Sequence, residues 1–138
     1  MDEVEKTLYV YEYDRAQAEA LKRNMDLINS NLMELDMVGK SLDEIKKLGK
    51  QNEILVLIGG DSFVKASIVD TEKILVGLGA GVVAEKDISN TKSDFEQRIR
   101  ELEQVRAELA ERWRALSSKL EELAPKVQEI IALQGREG

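Results

Sequence analysis

EILVLIGGDSFVKASIVDTEKILVGLGAGVVAEK, residues 53–86, is the stretch on which the fold of this chain turns. It is the one segment rich in branched apolar residues and glycine, and it reads as two β-hairpins in tandem. Glu53 to Ile58 is an apolar strand, Gly59-Gly60-Asp61 a turn, and Ser62 to Val69 a returning strand. In that second strand Val64, Ala66 and Ile68 share one face while Lys65 and Ser67 share the other, the period-two pattern of β structure. Asp70-Thr71-Glu72 connects to a third strand, Lys73 to Leu78, and Gly79-Ala80-Gly81 turns into a fourth, Val82 to Lys86. Strands this short and this apolar cannot bury their own faces, and their outer edges are unpaired. Ile54, Val56, Ile58, Phe63, Val64, Ile68, Ile74, Val76, Leu78 and Val82 are therefore expected to meet a second sheet from another subunit.

Helical patterns flank this middle on both sides. In the first arm, about residues 5–48, Ala18, Leu21, Met25, Ile28, Leu32 and Leu35 alternate spacings of three and four. A 3.5-residue repeat keeps one seam turned to a partner helix. Asp14 interrupts the seam, and the register slips around Met37 to Gly39 before Leu42 and Ile45 resume it. In the second arm, about residues 87–133, the seam runs Phe95, Ile99, Leu102, Leu109, Trp113, Leu116, Leu120, Leu123, Val127 and Ile130, with Arg106 as a polar intruder. Ser89 or Asn90 is the expected cap. Asp94/Arg98, Glu96/Arg100, Glu108/Arg112 and Glu122/Lys126 are spaced for ion pairs along the exposed face. Pro125 falls on the outward side, where it removes a backbone bond and kinks the helix. At ~1.5 Å rise per residue each arm extends roughly 65–70 Å.

The expected fold class is α+β: a long antiparallel coiled-coil hairpin with two tandem β-hairpins at its base, in a single domain covering 1–138. Leu8 and Tyr11 then face Ile130 and Val127 at the free end, and Leu48 faces Ile88 beside the hairpins. The free end carries Leu8, Tyr9, Val10, Tyr11 and Tyr13 on one helix and Val127, Ile130, Ile131 and Leu133 on the other. Ile130 and Ile131 are adjacent and cannot both face the seam. An apolar surplus at an end that packs on nothing else points to an interaction surface.

Composition narrows the chemistry. The 138 residues contain no cysteine and no histidine, so thiolate chemistry and the commonest general base and metal ligand are excluded. The carboxylates are spread along helix faces in no catalytic constellation, and we expect no enzyme activity and no metal. Gly77-Leu78-Gly79-Ala80-Gly81 superficially follows a nucleotide-binding loop, but Val82 stands where GxGxxG needs its third glycine, and a strand follows instead of a helix. No cofactor is expected. Net charge is −7, from 27 acidic and 20 basic residues. An acidic chain with interspersed charges is ill suited to a phosphate backbone, so no nucleic-acid partner is expected. No apolar run approaches the ~18 residues of a bilayer span, and Met1-Asp2-Glu3 does not open like a signal peptide. The expected location is cytoplasmic.

The order of parts, and two local strings in particular, closely resemble the α subunit of archaeal prefoldin. Asn52-Glu53-Ile54-Leu55-Val56-Leu57-Ile58-Gly59-Gly60-Asp61-Ser62-Phe63-Val64-Lys65-Ala66 is similar to that family's first hairpin. Lys73-Ile74-Leu75-Val76-Gly77-Leu78-Gly79-Ala80-Gly81-Val82-Val83-Ala84-Glu85-Lys86 is similar to its second. The resemblance covers nearly the whole chain, and the paired hairpins separate the α class from the single-hairpin β class. It implies an ATP-independent holdase in which two α and four β subunits form a jellyfish-like hexamer. Strands would build a double β-barrel, and apolar distal tips would hold unfolded client proteins for delivery to a group II chaperonin. A homo-oligomeric, filament-building relative shares this architecture, so a structural tether or filament component is the alternative.

Overall fold

The computed structural model describes residues 2–137 and shows the α+β order expected, helix–hairpin–hairpin–helix. Helix α1 spans Glu3–Leu48, strands β1 (Glu53–Gly59), β2 (Ser62–Ser67), β3 (Lys73–Gly79) and β4 (Val82–Asp87) follow, and α2 spans Ile88–Glu137. The chain divides into two compact units. One comprises Met1–Asn31 with Leu102–Gly138, the other Leu32–Glu101.

In the first unit the two helices pair antiparallel, with Ala18, Val127 and Ile130 buried between them. The pairing also contains the two polar intruders of the seam. Asp14 is only 6% exposed, and the Lys119 ammonium lies 2.8 Å from its Oδ2. That ammonium is out of line for a directional hydrogen bond, so the contact is an ion pair. Arg106 Nη1 donates to Asn29 Oδ1 at 3.0 Å. A register that set Leu8 against Ile130 would bring Asp14 level with Ala124, whereas its ion-pair partner is Lys119, five residues earlier in α2. Pro125 lies exposed inside α2, which continues past it. The i,i+4 pairing that closes in this unit is Arg15–Glu19 at 3.6 Å, not the Glu108/Arg112 or Glu122/Lys126 pairs that spacing suggested. Exposed pairs of this kind contribute only tenths of a kcal/mol, too little to hold long side chains together.

The second unit holds the hairpins and the adjoining helix segments. Its core is Leu42, Ile68 and Ile88 with the polar Thr91, whose hydroxyl donates to the Asp87 carbonyl at 2.8 Å. Gly49, at φ 77°, ends α1 in the left-handed conformation that glycine adopts without strain. Its N–H returns to the Ile45 carbonyl, and the Asn52 amide donates to the Leu48 carbonyl. That turn sets the offset between the helices here, so that Lys46 Nζ, two residues before Leu48, reaches Ser89 Oγ at 3.0 Å. The cap of α2 is Asp87, not Ser89 or Asn90. Its Oδ1 accepts from the N–H groups of Ser89 at 2.9 Å and Asn90 at 3.3 Å. An aspartate between strand and helix binds two orphan helix donors at once, which a serine two residues further in, already inside the helix, cannot do. The predicted Asp94/Arg98 and Glu96/Arg100 pairs give way to Asp36–Lys40 at 3.0 Å and to Asp43–Lys92, which joins the helices at 2.6 Å.

The strands form two separate antiparallel ribbons, β1–β2 and β3–β4, each with a register irregularity before its turn. Both turns place consecutive residues at positive φ: Gly60 and Asp61 at 55°, Ala80 at 50° and Gly81 at 76°. This is the backbone twist that tight hairpin loops require. Both ribbons are anchored at their roots. Gln51 N–H donates to the Ile68 carbonyl at 2.6 Å, and Ile88 N–H donates to the Glu72 carbonyl at 2.7 Å.

Gly39 sits inside α1, lining a cleft of about 240 Å³ with Leu35, Asp43, Phe95 and Ile99, and a Cβ built on it meets nothing within 4 Å. Gly39→Ala should therefore stabilise the protein by about 1 kcal/mol through helix propensity alone, read as a higher urea midpoint. The Asp43–Lys92 contact carries a pH signature. The hydrogen bond from Lys92 holds the Asp43 carboxyl below its ordinary range, and Asp43 raises Lys92 in turn. A depressed carboxylate stabilises the fold at neutral pH and loses that contribution as pH falls through its folded value. A raised lysine loses its contribution as pH climbs through its own. The stability gap between wild type and Asp43→Asn should be constant at mid-range, then close below about pH 4 and above about pH 10.5. Denaturant melts across that range measure it.

Candidate functional site

Two surfaces leave apolar side chains in contact with water. Small, well-buried domains do not do this over contiguous areas without a partner to cover them.

The first is the pair of ribbons. Val56, Ile58, Phe63, Val64, Leu78 and Val82 are exposed, as the sequence led one to expect of strands lacking a sheet to pack on. Ile54, Ile74 and Val76 are half-buried. Ile68 departs from expectation: it lies beyond the end of β2, is 7% exposed and belongs to the root core, so it is unavailable to a partner. In β1 and β3 sequence reasoning took alternate residues and passed over those between, while in β2 it took Phe63 and Val64 on opposite faces. Leu55, Leu57, Leu75 and Val83 are also exposed, Leu75 by 70%. The signal was present, since β1 is apolar at consecutive positions, which marks a strand covered on both faces.

The second surface is the end of the helix pair that carries the chain termini. Here the expected residues divide. Val127 and Ile130 are buried between the helices, where they pack in the seam. Leu8, Val10 and Tyr11 are half-buried beside them. Tyr9, Tyr13, Ile131 and Leu133 face solvent, and Val4 joins them as an exposed residue that seam periodicity did not pick out. Tyr9 and Tyr13 lie one turn apart with ring centroids 6.3 Å from each other and planes 17° from parallel.

Among the described residues no group of carboxylates is arranged to hold a metal ion, and no helix is long and apolar enough to cross a membrane. One further carboxylate is perturbed. Asp70 accepts the N–H groups of Glu72 at 2.8 Å and Lys73 at 3.1 Å, and those two bonds lower its pKa. This fixes the connection between the ribbons, and Asp70 also lines a cleft of about 300 Å³ with Ile45, Ile68 and Ile74.

The split between Ile130 and Ile131 can be measured. Ile130 is 8% exposed and Ile131 is 58% exposed. Ile130→Ala should cost about 2 kcal/mol or more. Ile131→Ala should stay within about 0.5 kcal/mol of wild type. Chemical denaturation followed by helical circular dichroism separates the two.

Comparison with known proteins agrees with this geometry. A family model described as prefoldin subunit matches residues 15–132. Prefoldin subunit alpha of Pyrococcus horikoshii is 34% identical over 129 residues, covering 93% of this chain and 87% of that one. The Methanococcus aeolicus subunit alpha is 31% identical over 141 residues, covering 99% and 94%. Among solved structures, the filamentous PFD of Methanocaldococcus jannaschii, determined by cryo-EM, superposes with a TM-score of 0.69 at 23% identity, covering 88% of this chain and 98% of that one. The prefoldin beta subunit of Thermococcus strain KS-1 superposes at 0.58 and 18% identity, covering 94% and 92%. At such identities the two structures show a shared fold. With a family match over most of its length and relatives above 30% identity, the chain belongs to the prefoldin family of chaperone subunits.

Proposed function

We propose that this chain is the α-class subunit of an ATP-independent holdase, assembled through its ribbons and holding unfolded proteins at its terminal helix ends. The observation that carries the reading is that apolar exposure is concentrated on these two separate surfaces. On the ribbons, both faces and the unpaired strand edges offer what another subunit's strands need: backbone donors and acceptors beside apolar side chains. At the helix ends the exposed residues are fewer, Tyr9, Tyr13, Ile131 and Leu133, and suit weak, reversible contact. Each such side chain contributes at most roughly 1.5–3 kcal/mol when covered. Several ends around one client turn weak contacts into useful avidity. The proposed assembly is a hexamer of two α and four β subunits in the cytoplasm, passing clients to a group II chaperonin.

A second reading has an observation of its own. A protein that superposes with a TM-score of 0.69 is filamentous, so a homo-oligomeric filament remains the alternative assembly. Native mass spectrometry of the chain with and without a β-class subunit distinguishes a closed hetero-oligomer from a ladder of homo-oligomers.

The client role is tested by removing residues 1–13 and 127–138 together and following aggregation of a denatured client by light scattering. Oligomer size is checked in parallel. The trimmed protein should keep its assembly and lose its protection. The double change Ile131→Ser/Leu133→Ser should give a partial loss. Full protection by a trimmed, correctly assembled protein would show that clients are held elsewhere.

A further inference from the structure

The exposed tyrosines are not placed as a purely apolar patch would be. Tyr9 is 61% and Tyr13 55% exposed, and their near-parallel rings present aromatic faces to water. Residues three, four and seven apart share a helix face, so Tyr9 is flanked by Asp2, Glu5, Lys6 and Glu12, all exposed, and Tyr13 by Lys6, Val10, Ala16 and Gln17. Three carboxylates thus stand around the Tyr9 end of the pair, with one ammonium among them. The first-turn acids have an ordinary role: Asp2 caps α1, its Oδ1 accepting from Glu5 N–H at 2.8 Å, and negative charge there suits the helix dipole. Glu12 lies beyond the reach of that effect and beside the rings.

Aromatic faces attract cations, best within about 6 Å of the ring centre, and nearby carboxylates add a field of the same preference. From this juxtaposition we infer that the Tyr9–Tyr13 platform selects unfolded segments in which arginine or lysine stands among apolar residues. The inference rests on the client-holding role proposed above and specifies which clients are held best. An arginine suits the site particularly well, because its weakly hydrated planar guanidinium stacks on a ring while its stem stays in contact with apolar surface. An acidic segment of equal hydrophobicity meets like charge at the same place.

The test uses the full-length protein in its native assembly and two fluorescein-labelled unfolded peptides of identical apolar content. One carries arginines, and the other carries glutamines at those positions. Fluorescence anisotropy should show the arginine peptide binding about threefold to tenfold more tightly. The ratio should fall toward one in Tyr9→Leu/Tyr13→Leu, which keeps apolar bulk but removes the rings, or in Glu5→Gln/Glu12→Gln, which keeps the rings but removes charge. Circular dichroism confirms that both variants remain helical. Equal affinity of the wild type for both peptides overturns the selection while leaving client holding intact, and so does a preference that survives both variants. Failure of both peptides to bind the wild type at all overturns client holding itself.

Discussion

A two-stranded ribbon has two faces, two edges and nothing of its own to lay over any of them. The rest of this molecule depends on that constraint. Apolar residues at consecutive positions of β1 and β3 would be a liability in a monomer, since each exposed face and edge invites association. Within the chain, only the ribbon roots find cover, where Ile68 and Ile88 pack with Leu42. The helices supply that root and cannot reach further along the strands. A partner that covers the strands would therefore stabilise the hairpin region by mass action.

The helical pairing answers a different requirement. A seam of leucine and isoleucine alone is indifferent to sliding, whereas polar side chains inside it must find partners. Asp14 with Lys119 and Arg106 with Asn29 are such pairs, and both lie in the unit that ends at the chain termini. Asp14 is nearly buried while Lys119 keeps much of its ammonium in water, so only one of the two charges bears a large desolvation cost. Past this point the seam closes with Val127 and Ile130, and the apolar residues that remain have no layer to join. That remainder is the surface on which the proposed client-holding role rests.

Much of this was legible in the sequence because two periods, 3.5 and 2, are both clean in it. The strand limits differ from expectation by two residues at most, since glycine pairs mark each turn. What escaped was decided in three dimensions. Ile68 continues the alternation of β2 yet turns inward, because the chain leaves the ribbon there to reach Gln51. Val127 and Ile130 look like contact residues if helix ends are assumed to fray, but the antiparallel partner covers them. The Asp87 cap was hidden by its place at the last residue of a strand, where a polar residue normally reads as a solvent-facing strand position. Helix offset was beyond periodicity altogether. A heptad specifies which stripe faces the partner but leaves open which rungs lie level.

The two ribbons share no ladder hydrogen bonds with each other; each is tethered separately, through Gln51 and Ile68 on one side and through Glu72 and Ile88 on the other. In the language of polymer chemistry this gives the chain a functionality of two. A building block with one connector can only pair and stop. One with two independent connectors can bridge unlike neighbours, and the growing structure then closes or propagates according to the angle between links. The short Asp70–Glu72 connection, held by the Asp70 carboxylate, joins the two connectors. A building block of that functionality can enter a finite ring or an endless strand alike.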